Sequence, residues 1–342
     1  MSDSETSILV TGGAGFLGAH VIRALLQTRE FDGAAIVVLD DLSGGFRENV
    51  PDDPQITFVV GSVTDVAFVE RLFAQHRFRY VYHLAAYAAE GLSHFIRRFN
   101  YTNNLLGSVA LINAAVRYQS ECFVFTSSLA VYGSAPVPMS EDTAPQPEDP
   151  YGIAKYAVEC DLRAAHEIFG LDSVVFRPHN AYGEFQNIGD PYRNVVGIFM
   201  NRLMQSLPMP IFGDGNQQRA FTYVGDIAPI IARAPLVDNA RNQVFNLGSN
   251  RPWTVKELAQ EVAAAMGVPA LVEYLQPRKE AVAAYASHDR CRQVFGEQTE
   301  TQLAEGLARM AAWVRSVGSR STTPFTHIEI QEQLPPAWQQ WL

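Results

Sequence analysis

The turn that ends the first apolar run leaves few folds open to this chain. Residues 8–10 are apolar, glycines then stand at every third position, and residues 19–26 place apolar side chains at helical spacing. The glycines are Gly12, Gly15 and Gly18. A diphosphate can rest against backbone N–H groups at a helix N-terminus only where no Cβ intrudes. The pattern therefore predicts a strand, a phosphate-binding turn and a helix; a tight turn without a ligand is the alternative.

A second apolar strand, predicted at residues 35–39, supports the phosphate-binding interpretation. It ends in Asp40 and Asp41, about twenty residues beyond the glycines, where a Rossmann unit places the acid that holds the adenosine ribose hydroxyls. Asp40 would also repel a 2′-phosphate, so the sequence favours NAD over NADP. The alternative is that the two acids only open the polar turn that follows them.

Composition bounds the architecture and the classes of function. With 342 residues, the chain is longer than one hydrophobic core usually supports, so two lobes are expected. A net charge of −10 argues against a surface for nucleic acid. The first five residues are polar and no apolar run approaches the ~18 residues of a membrane span, so we expect no membrane segment and a cytoplasmic location. The three cysteines are predicted to be reduced, and no metal site is expected.

The next segments alternate between apolar strands and helices, which is typical of a parallel sheet covered on both faces. Strands are predicted at 55–60, 80–86 and 122–126. Two polar residues in these segments could contact a ligand or could serve the fold alone. Asp65 either accepts a hydrogen bond from the adenine amino group or caps the helix that follows it. His83 is predicted to be structural rather than catalytic.

Hydroxyl groups follow the fifth predicted strand, at the edge where open α/β sheets bind their ligands. Ser128 is one of them, and a proline-rich segment, 135–150, then predicts a surface loop over the site. The loop leads to a predicted helix, and Tyr151 and Lys155 lie at its start. Four residues apart on a helix, the phenol and the ammonium share a face, and the cation would lower the phenol pKa. An ordinary surface pair is the alternative.

Together these motifs resemble the extended short-chain dehydrogenase/reductase family, and within it the NAD-dependent nucleotide-sugar epimerases and dehydratases. The resemblance rests on the glycine turn, Asp40, Ser128, Tyr151 and Lys155, and it covers roughly residues 7 to 315. Later segments also match: the family's sixth strand with its asparagine, its nucleotide-base segment at 207–215, and its phosphate-binding arginine followed by a helix that returns to the first lobe.

The resemblance implies roles residue by residue. Tyr151 would transfer the proton, Lys155 would lower the phenol pKa and hold the nicotinamide ribose, and Ser128 would hydrogen-bond the reacting sugar hydroxyl. The residues implied for NAD are Gly12, Gly15, Phe16, Leu17, Gly18, Asp40, Asp65 and Lys155. The residues implied for the UDP-sugar diphosphate are Asn180, Asn194, Arg219 and Arg278. The segment around Arg278 is one residue shorter than the family pattern, and surface salt bridges are the alternative for both arginines.

The family also implies an α/β fold, with a Rossmann-type doubly wound parallel sheet and a smaller α/β substrate-binding lobe. We expect the NAD-binding lobe at 1–183, with 219–233 packing back on it, and the substrate lobe at 184–318. The tail, 319–342, is too apolar to be free and should dock on the body or on a partner subunit. The helices beginning near Asn103 and at Gly152 predict a homodimer, because family dimers pair them; coverage within one subunit is the alternative.

The residues after the catalytic hydroxyl bear on the reaction. Dehydratases and decarboxylases of the family carry acids there, whereas this chain has Leu129 and Ala130. A 4-epimerase of a UDP-hexose, or of an N-acetyl or uronic-acid variant, is therefore expected. An atypical dehydratase or reductase is one alternative, and an NAD-responsive binding protein is another. Ala284 is small at a position where related 4-epimerases use bulk to exclude N-acetyl groups, so it predicts an accommodating pocket.

Overall fold

The computed structural model describes residues 6–278, 280–297, 300–322 and 325–339. Within them, strands β1 to β14 are Ser7–Thr11, Ala35–Asp40, Ile56–Val60, Tyr80–His83, Cys122–Thr126, Asp172–Pro178, Ala181–Tyr182, Met209–Phe212, Gln218–Ala220, Thr222–Tyr223, Gln243–Leu247, Pro252–Thr254, Val272–Leu275 and Ala283–Ala284. Helices α1 to α12 are Phe16–Leu26, Val66–His76, Glu90–Ser93, Arg97–Tyr101, Gly107–Arg117, Pro150–Phe169, Val195–Met204, Val224–Arg233, Val255–Met266, Asp289–Phe295, Leu303–Val317 and Pro336–Gln339.

A parallel sheet of seven strands forms the centre of the molecule, in the order β11-β6-β5-β4-β1-β2-β3. Successive side chains of β1 point to opposite faces, so Ile8 and Val10 enter one hydrophobic core and Leu9 the other. The strand order reverses between β1 and β4, which opens a cleft at their carboxyl ends. The predicted doubly wound sheet is confirmed.

Helices cover both faces of this sheet. On one face, α1 packs against α8, where Val21 and Ile22 share a core with Ile227 and Ile231. On the other face, α2, α5 and α6 pack together on the sheet. Helix α8 thus lies on the first lobe although the chain reaches it after entering the second.

A smaller lobe is built around α7, α9 and α11, whose apolar faces meet in a separate core. The short sheets β12-β9-β14 and β13-β8 belong to this side of the molecule. The sequence assigns the segment 184–318 to one substrate lobe, but parts of this segment pack on the first lobe. Strand β11 pairs with β6 in the large sheet, and Phe295 of α10 packs on Phe245 with ring centroids 5.1 Å apart. The last three residues of β11 are buried at the edge of the large sheet, and the short length of the strand hides this pairing in the sequence.

The helix predicted to begin near Asn103 starts earlier in the structure. Helix α4, a π-helical turn at Thr102–Leu106, and α5 form one continuous helical run from 97 to 117. The wider π turn shifts the phase of the side chains, so the 3.6-residue pattern is clear only after it.

Residues 325–339 of the tail pack on the chain's own α3 and α4. Leu334 and Trp338 are buried against Leu92 and Ile96. The Glu329 carboxylate accepts hydrogen bonds from the backbone N–H groups of Arg98 and Phe99, in the first turn of α4, at 2.8 and 2.7 Å. The tail therefore closes one side of the molecule; the tail prediction for residues 323, 324 and 340–342 lies outside the described residues.

Among the helices that the structure describes, none combines the length and the apolar character needed to cross a membrane.

Candidate active site

A cavity of about 800 Å³ lies between the two lobes, at the carboxyl ends of β1, β4 and β5. Except for Asp65, every residue that the sequence assigns to coenzyme, catalysis or substrate lines it. The register of β1 with β4, which pairs Thr11 with His83, brings the glycine turn beside the residues that follow β4. The fold thus brings these residues to one place from both lobes.

The glycine turn has the shape of a phosphate cradle. Gly12 has φ +70°, and a Cβ on it would lie 2.7 Å from the backbone of Ala85. A Cβ on Gly18 would lie 2.2 Å from the Gly12 carbonyl oxygen. Gly15 precedes α1 without a side-chain cap, so the first N–H groups of this helix are available at the cavity. A dinucleotide diphosphate fits these observations, because it needs free N–H groups and a close backbone approach.

Asp40 ends β2 against this turn. Its Oδ2 accepts the Ala14 N–H at 3.0 Å and its Oδ1 accepts the Leu42 N–H at 2.8 Å. Burial raises the pKa of Asp40, and the neighbouring Asp41 adds to the rise. Each carboxylate oxygen still has a second lone pair for a ribose hydroxyl. Asp41 instead holds the following turn, accepting the Ser43 N–H at 2.9 Å.

Asp65 and His83 have structural partners. Asp65 caps α2 by accepting the Phe68 N–H at 2.9 Å, which is one of the two predicted interpretations; the adenine contact stays a prediction. His83 is buried between the hydroxyls of Thr11 and Ser108, both 2.8 Å away. Burial lowers the pKa of His83 to about 3, so the ring is neutral at pH 7. These contacts support the structural interpretation of His83.

Tyr151, Ser128 and Lys155 meet at the floor of the cavity. Asp149 caps α6 by accepting the Gly152 N–H at 2.9 Å, so the helix begins at Pro150 and Tyr151 lies in its first turn. The Ser128 hydroxyl lies near enough to the Tyr151 phenol to lower its pKa, and it accepts the Ala130 N–H at 3.1 Å. Lys155 Nζ lies 5.8 Å from the centre of the Tyr151 ring and donates to a backbone oxygen of β5 at 2.8 Å.

Electrostatics around the phenol differ from the prediction. Burial raises the pKa of Tyr151, with a smaller rise from Glu90 and Asp149, while the Ser128 hydrogen bond and the Arg193 charge lower it. The net direction for the phenol is thus a raised pKa, and the Lys155 ammonium is directed at the strand carbonyl; a lowering by Lys155 stays a prediction. Burial also lowers the pKa of Lys155 to about 7.

A buried ion pair, which the sequence did not predict, lies one helix turn beyond Lys155. Glu159, one turn further along α6, pairs with Arg177 of β6, whose Nη1 also donates to the Tyr132 hydroxyl at 2.6 Å. The Ser127 hydroxyl donates to the same carboxylate. Since each charged group has partners, the network ties α6 to the sheet one turn beyond Lys155.

Arg219 and Arg278 are both in the cavity and both paired. Glu280 bridges them, with its Oε2 3.2 Å from Arg219 Nη2 and its Oε1 3.5 Å from Arg278 Nε. The Arg278 guanidinium also lies 4.5 Å from the ring centre of Phe212 and 5.7 Å from that of Trp338. The alternative interpretation is that both arginines form surface salt bridges. They do form ion pairs, but these pairs lie at the cavity, on the smaller-lobe side.

Asn180 and Asn194 line the cavity in strained backbone conformations, with φ of 42° and 61°. Asn180 donates to the Ala220 carbonyl at 3.1 Å. Asn194 precedes α7 without a side-chain cap, so a second helix N-terminus faces the cavity. Ala284, which pairs with Arg219 across β14 and β9, also lines the cavity.

Glu90, Arg193 and Trp338 line the cavity without having been predicted. Glu90 is open to the cavity, yet protein surrounds it, and burial raises its pKa to about 7. It faces Asp149, Glu280 and the two substrate-side arginines. An acid among the small residues after β4 was the available signal; no local pattern marks an arginine or a tryptophan that reaches the site from a distant segment.

The sheet order, the glycine turn at its switch point and the Tyr–Lys helix beside it define an extended short-chain dehydrogenase/reductase. Comparison with known proteins narrows this class. The model of the NAD dependent epimerase/dehydratase family matches residues 8–248. The chain belongs to this family, and its coenzyme is NAD.

Individual relatives include two kinds of enzyme. The UDP-glucose 4-epimerase of Mycolicibacterium smegmatis is 34% identical over 316 residues, which cover 90% of this chain and 98% of that protein. The dTDP-glucose 4,6-dehydratase of an Actinoplanes species is 30% identical over 319 residues, with 90% and 98% covered. The crystal structure of Thermotoga maritima UDP-glucose 4-epimerase with UDP-glucose has a TM-score of 0.84 and 33% identity, covering 91% of this chain and 99% of that one.

Proposed function

We propose that this enzyme is a nucleotide-sugar 4-epimerase that acts on a UDP-hexose or its N-acetylated or uronic-acid variant. The observation that carries the proposal is the placement of Ser128, Tyr151 and Lys155 beside the glycine turn, with no acid at the two following positions, Leu129 and Ala130. Epimerisation at C4 needs a reversible proton transfer at one hydroxyl, and this set of groups supplies it. The similarity to UDP-glucose 4-epimerases supports the same choice.

In this proposal the Tyr151 phenol exchanges the proton of the C4 hydroxyl, and Ser128 hydrogen-bonds the same hydroxyl. NAD, when bound beside these residues, would supply a reversible hydride acceptor for C4 of the sugar, so that hydride can return to either face. Lys155 holds the nicotinamide ribose from the same helix face as Tyr151, and the buried pair of Glu159 and Arg177 ties the helix to the sheet one turn beyond it. Burial excludes water from the phenol, which prevents loss of the oxidised sugar to solvent reactions.

The diphosphate of the substrate would lie on the opposite side of the cavity. Asn180 and Asn194 with the N-terminus of α7 offer amide and N–H groups, and Arg219 and Arg278 offer charge. The arginines have to share or exchange their contacts with Glu280 when the diphosphate binds. Because the protein as a whole is acidic, the two arginines in the cavity are the local positive charge that supports a diphosphate ligand there.

A dehydratase is the second candidate, and Glu90 is the observation that favours it. Removal of a C5 proton and expulsion of a C6 hydroxyl need a further acid and base. A carboxyl group with a pKa near 7 holds and releases a proton at neutral pH, and Glu90 lies close enough to Tyr151 to raise the phenol pKa. The dehydratase relative belongs to the same family.

One experiment separates the two reactions. UDP-sugars are incubated with the enzyme in heavy water, and the products are followed by NMR. A 4-epimerase should give a C4 epimer pair without carbon-bound deuterium, because hydride moves within one closed site. Deuterium at C5 or C6, or a product lacking the elements of water, would favour the dehydratase and make Glu90→Gln the variant that abolishes the label.

We also propose a homodimer that pairs the helical run 97–117 with α6. Leu106 and Ile153 are 60% and 41% exposed on these elements, and Ile168 and Phe169 at the end of α6 are 73% and 66% exposed. Apolar side chains exposed at this level on two neighbouring helices fit a partner surface. Light scattering at micromolar concentration should give twice the monomer mass of 37.8 kDa; the monomer mass would rule the proposal out.

A further inference from the structure

Arg193 reaches across the cavity from the smaller lobe to the coenzyme lobe. It stands just before α7, and its side chain is only 15% exposed. Its Nε pairs with Asp190 Oδ2 at 2.6 Å, and its guanidinium carbon lies 4.8 Å from the ring centre of Tyr87. A Cβ on Gly44 would lie 2.6 Å from Arg193 Nη2. The guanidinium therefore lies directly beside Gly44, in the loop after β2.

That loop is part of the coenzyme cradle. A Cβ on Gly45 would lie 2.6 Å from the carbonyl of Ala14 and 2.8 Å from the nitrogen of Gly15, so the loop backs directly onto the glycine turn. The Phe46 N–H donates to the Ala14 oxygen at 2.9 Å and fixes this contact. Arg193 thus ends where the loop after β2 and the N-terminus of α1 meet at the cavity.

The chemistry of the guanidinium suits an anion there. Asp190 engages the Nε edge, which leaves the Nη2 group directed at the coenzyme loop. Arginine carries donors in a planar fork that matches phosphate oxygens. The other arginines described above are held elsewhere: Arg219 and Arg278 by Glu280, and Arg177 by Glu159 behind the sheet.

We propose that Arg193 binds the diphosphate of NAD and closes the coenzyme groove from the smaller lobe. The residues that the sequence assigns to NAD all lie on the first lobe, whereas Arg193 would contact NAD from the smaller lobe. It couples the two ligands, because Arg193 directly precedes Asn194 and the N-terminus of α7 on the substrate side. The inference rests on NAD as coenzyme and holds for an epimerase and a dehydratase alike.

The test measures binding to coenzyme-free protein by titration calorimetry, with NAD, ADP-ribose, adenosine and UDP as separate ligands. Arg193→Ala should raise the Kd of NAD and of ADP-ribose about 10- to 100-fold, the range of a charge-assisted hydrogen bond, and leave adenosine unchanged. Arg193→Lys should recover part of the loss because it keeps the charge. The salt dependence of NAD binding should also weaken in Arg193→Ala.

A second arginine provides a matched control. Arg320 also reaches the coenzyme loop from outside the first lobe, with its guanidinium carbon 3.5 Å from the ring centre of Phe46, but it does not line the cavity. Arg320→Ala should leave the NAD affinity unchanged. An equal effect of both variants, or an equal loss for adenosine, would show that Arg193 only fastens the loop. A loss for UDP alone, or no loss for any ligand, would also overturn the proposal.

Discussion

The two sides of the cavity are built from different parts of the polypeptide. The coenzyme side is mainly backbone: a glycine turn, a helix N-terminus and a loop held by Asp40. The substrate side is made of long charged side chains, Arg219, Arg278 and Glu280, covered by Trp338 of the tail. A backbone site has its shape before the ligand arrives, whereas the substrate side has to exchange internal ion pairs for ligand contacts. The difference predicts rigid, specific coenzyme binding beside an adjustable substrate pocket.

The largest effect is expected on the backbone side. In Gly18→Ala the new Cβ would lie 2.2 Å from the Gly12 oxygen and 2.6 Å from Gly13 Cα, so the turn has to shift. We expect loss of bound NAD and of activity, together with about 1 to 3 kcal/mol of stability from overpacking. The measurements are NAD content after gel filtration and chemical denaturation.

Gly15→Ala is the matched variant, since its Cβ would meet only the Gly12 oxygen, at 3.1 Å. It should keep most of the stability and lose NAD affinity, because the methyl group lies at the phosphate cradle. If both variants kept their NAD, the cradle would not depend on close backbone approach and the comparison would fail.

The next effect concerns the phenol between the two sides. Tyr151→Phe should reduce turnover roughly 10²-fold or more, the usual scale for a positioned acid–base group, while folding and NAD content stay close to the wild type. Steady-state kinetics and NAD release by acid measure the two quantities. Near-normal turnover would remove Tyr151 from the proposed mechanism and leave the fold and the coenzyme site as described.

A smaller effect is expected on the substrate side. Arg278→Ala removes one of two cations, so UDP binding should weaken about 10-fold, within the range of one charge-assisted hydrogen bond, while NAD affinity stays unchanged. Arg292, paired with Asp289 on the surface, is the control, and Arg292→Ala should change neither ligand. Calorimetry with UDP and with NAD tests both statements. Equal weakening of NAD would mean that the two sides do not act separately.

The comparison also explains what could be predicted from the sequence. A backbone site constrains the sequence locally, so the glycines, the strand before them and Asp40 predict both the fold and the coenzyme. Tyr151 and Lys155 could be predicted together because one helix turn fixes their relation. Each of these features lies within a short segment, and its physical cause is visible there.

Other features depend on segments that meet only in the folded chain. Arg193, Glu90 and Trp338 come to the cavity from three distant elements, and an arginine or a tryptophan has no local pattern that marks its destination. Burial then reverses simple expectations, as with the raised pKa of Tyr151 beside a lysine that points elsewhere. Strand β11 is similar: only its pairing with β6 assigns it to the large sheet.

The smallest expected effect, and the one that tests how adjustable the substrate side is, concerns Glu90, because its side chain is exposed at the cavity and solvent screens its charge. Burial raises the pKa of Glu90 from 4.5 to about 7, so between these pH values the folded protein keeps a proton that the unfolded chain releases. The stabilising contribution of that proton is complete below pH 4.5 and is lost as the pH rises through 7. Wild type should therefore lose stability relative to Glu90→Gln across this window, and the difference should be constant above it.

The measurement is urea denaturation of both proteins from pH 4 to pH 8, read as the difference in the free energy of unfolding, so that groups common to both proteins cancel. Asp142→Asn is a suitable control, because Asp142 is an exposed acid paired with Arg290 on the surface. Adding UDP sharpens the test: a diphosphate that takes Arg219 and Arg278 removes positive charge from around Glu90, which should raise its pKa further and move the window to higher pH. A difference that is flat across the whole range would mean that Glu90 is solvated like a surface carboxylate, and the substrate side would then be more open than the burial of Glu90 indicates.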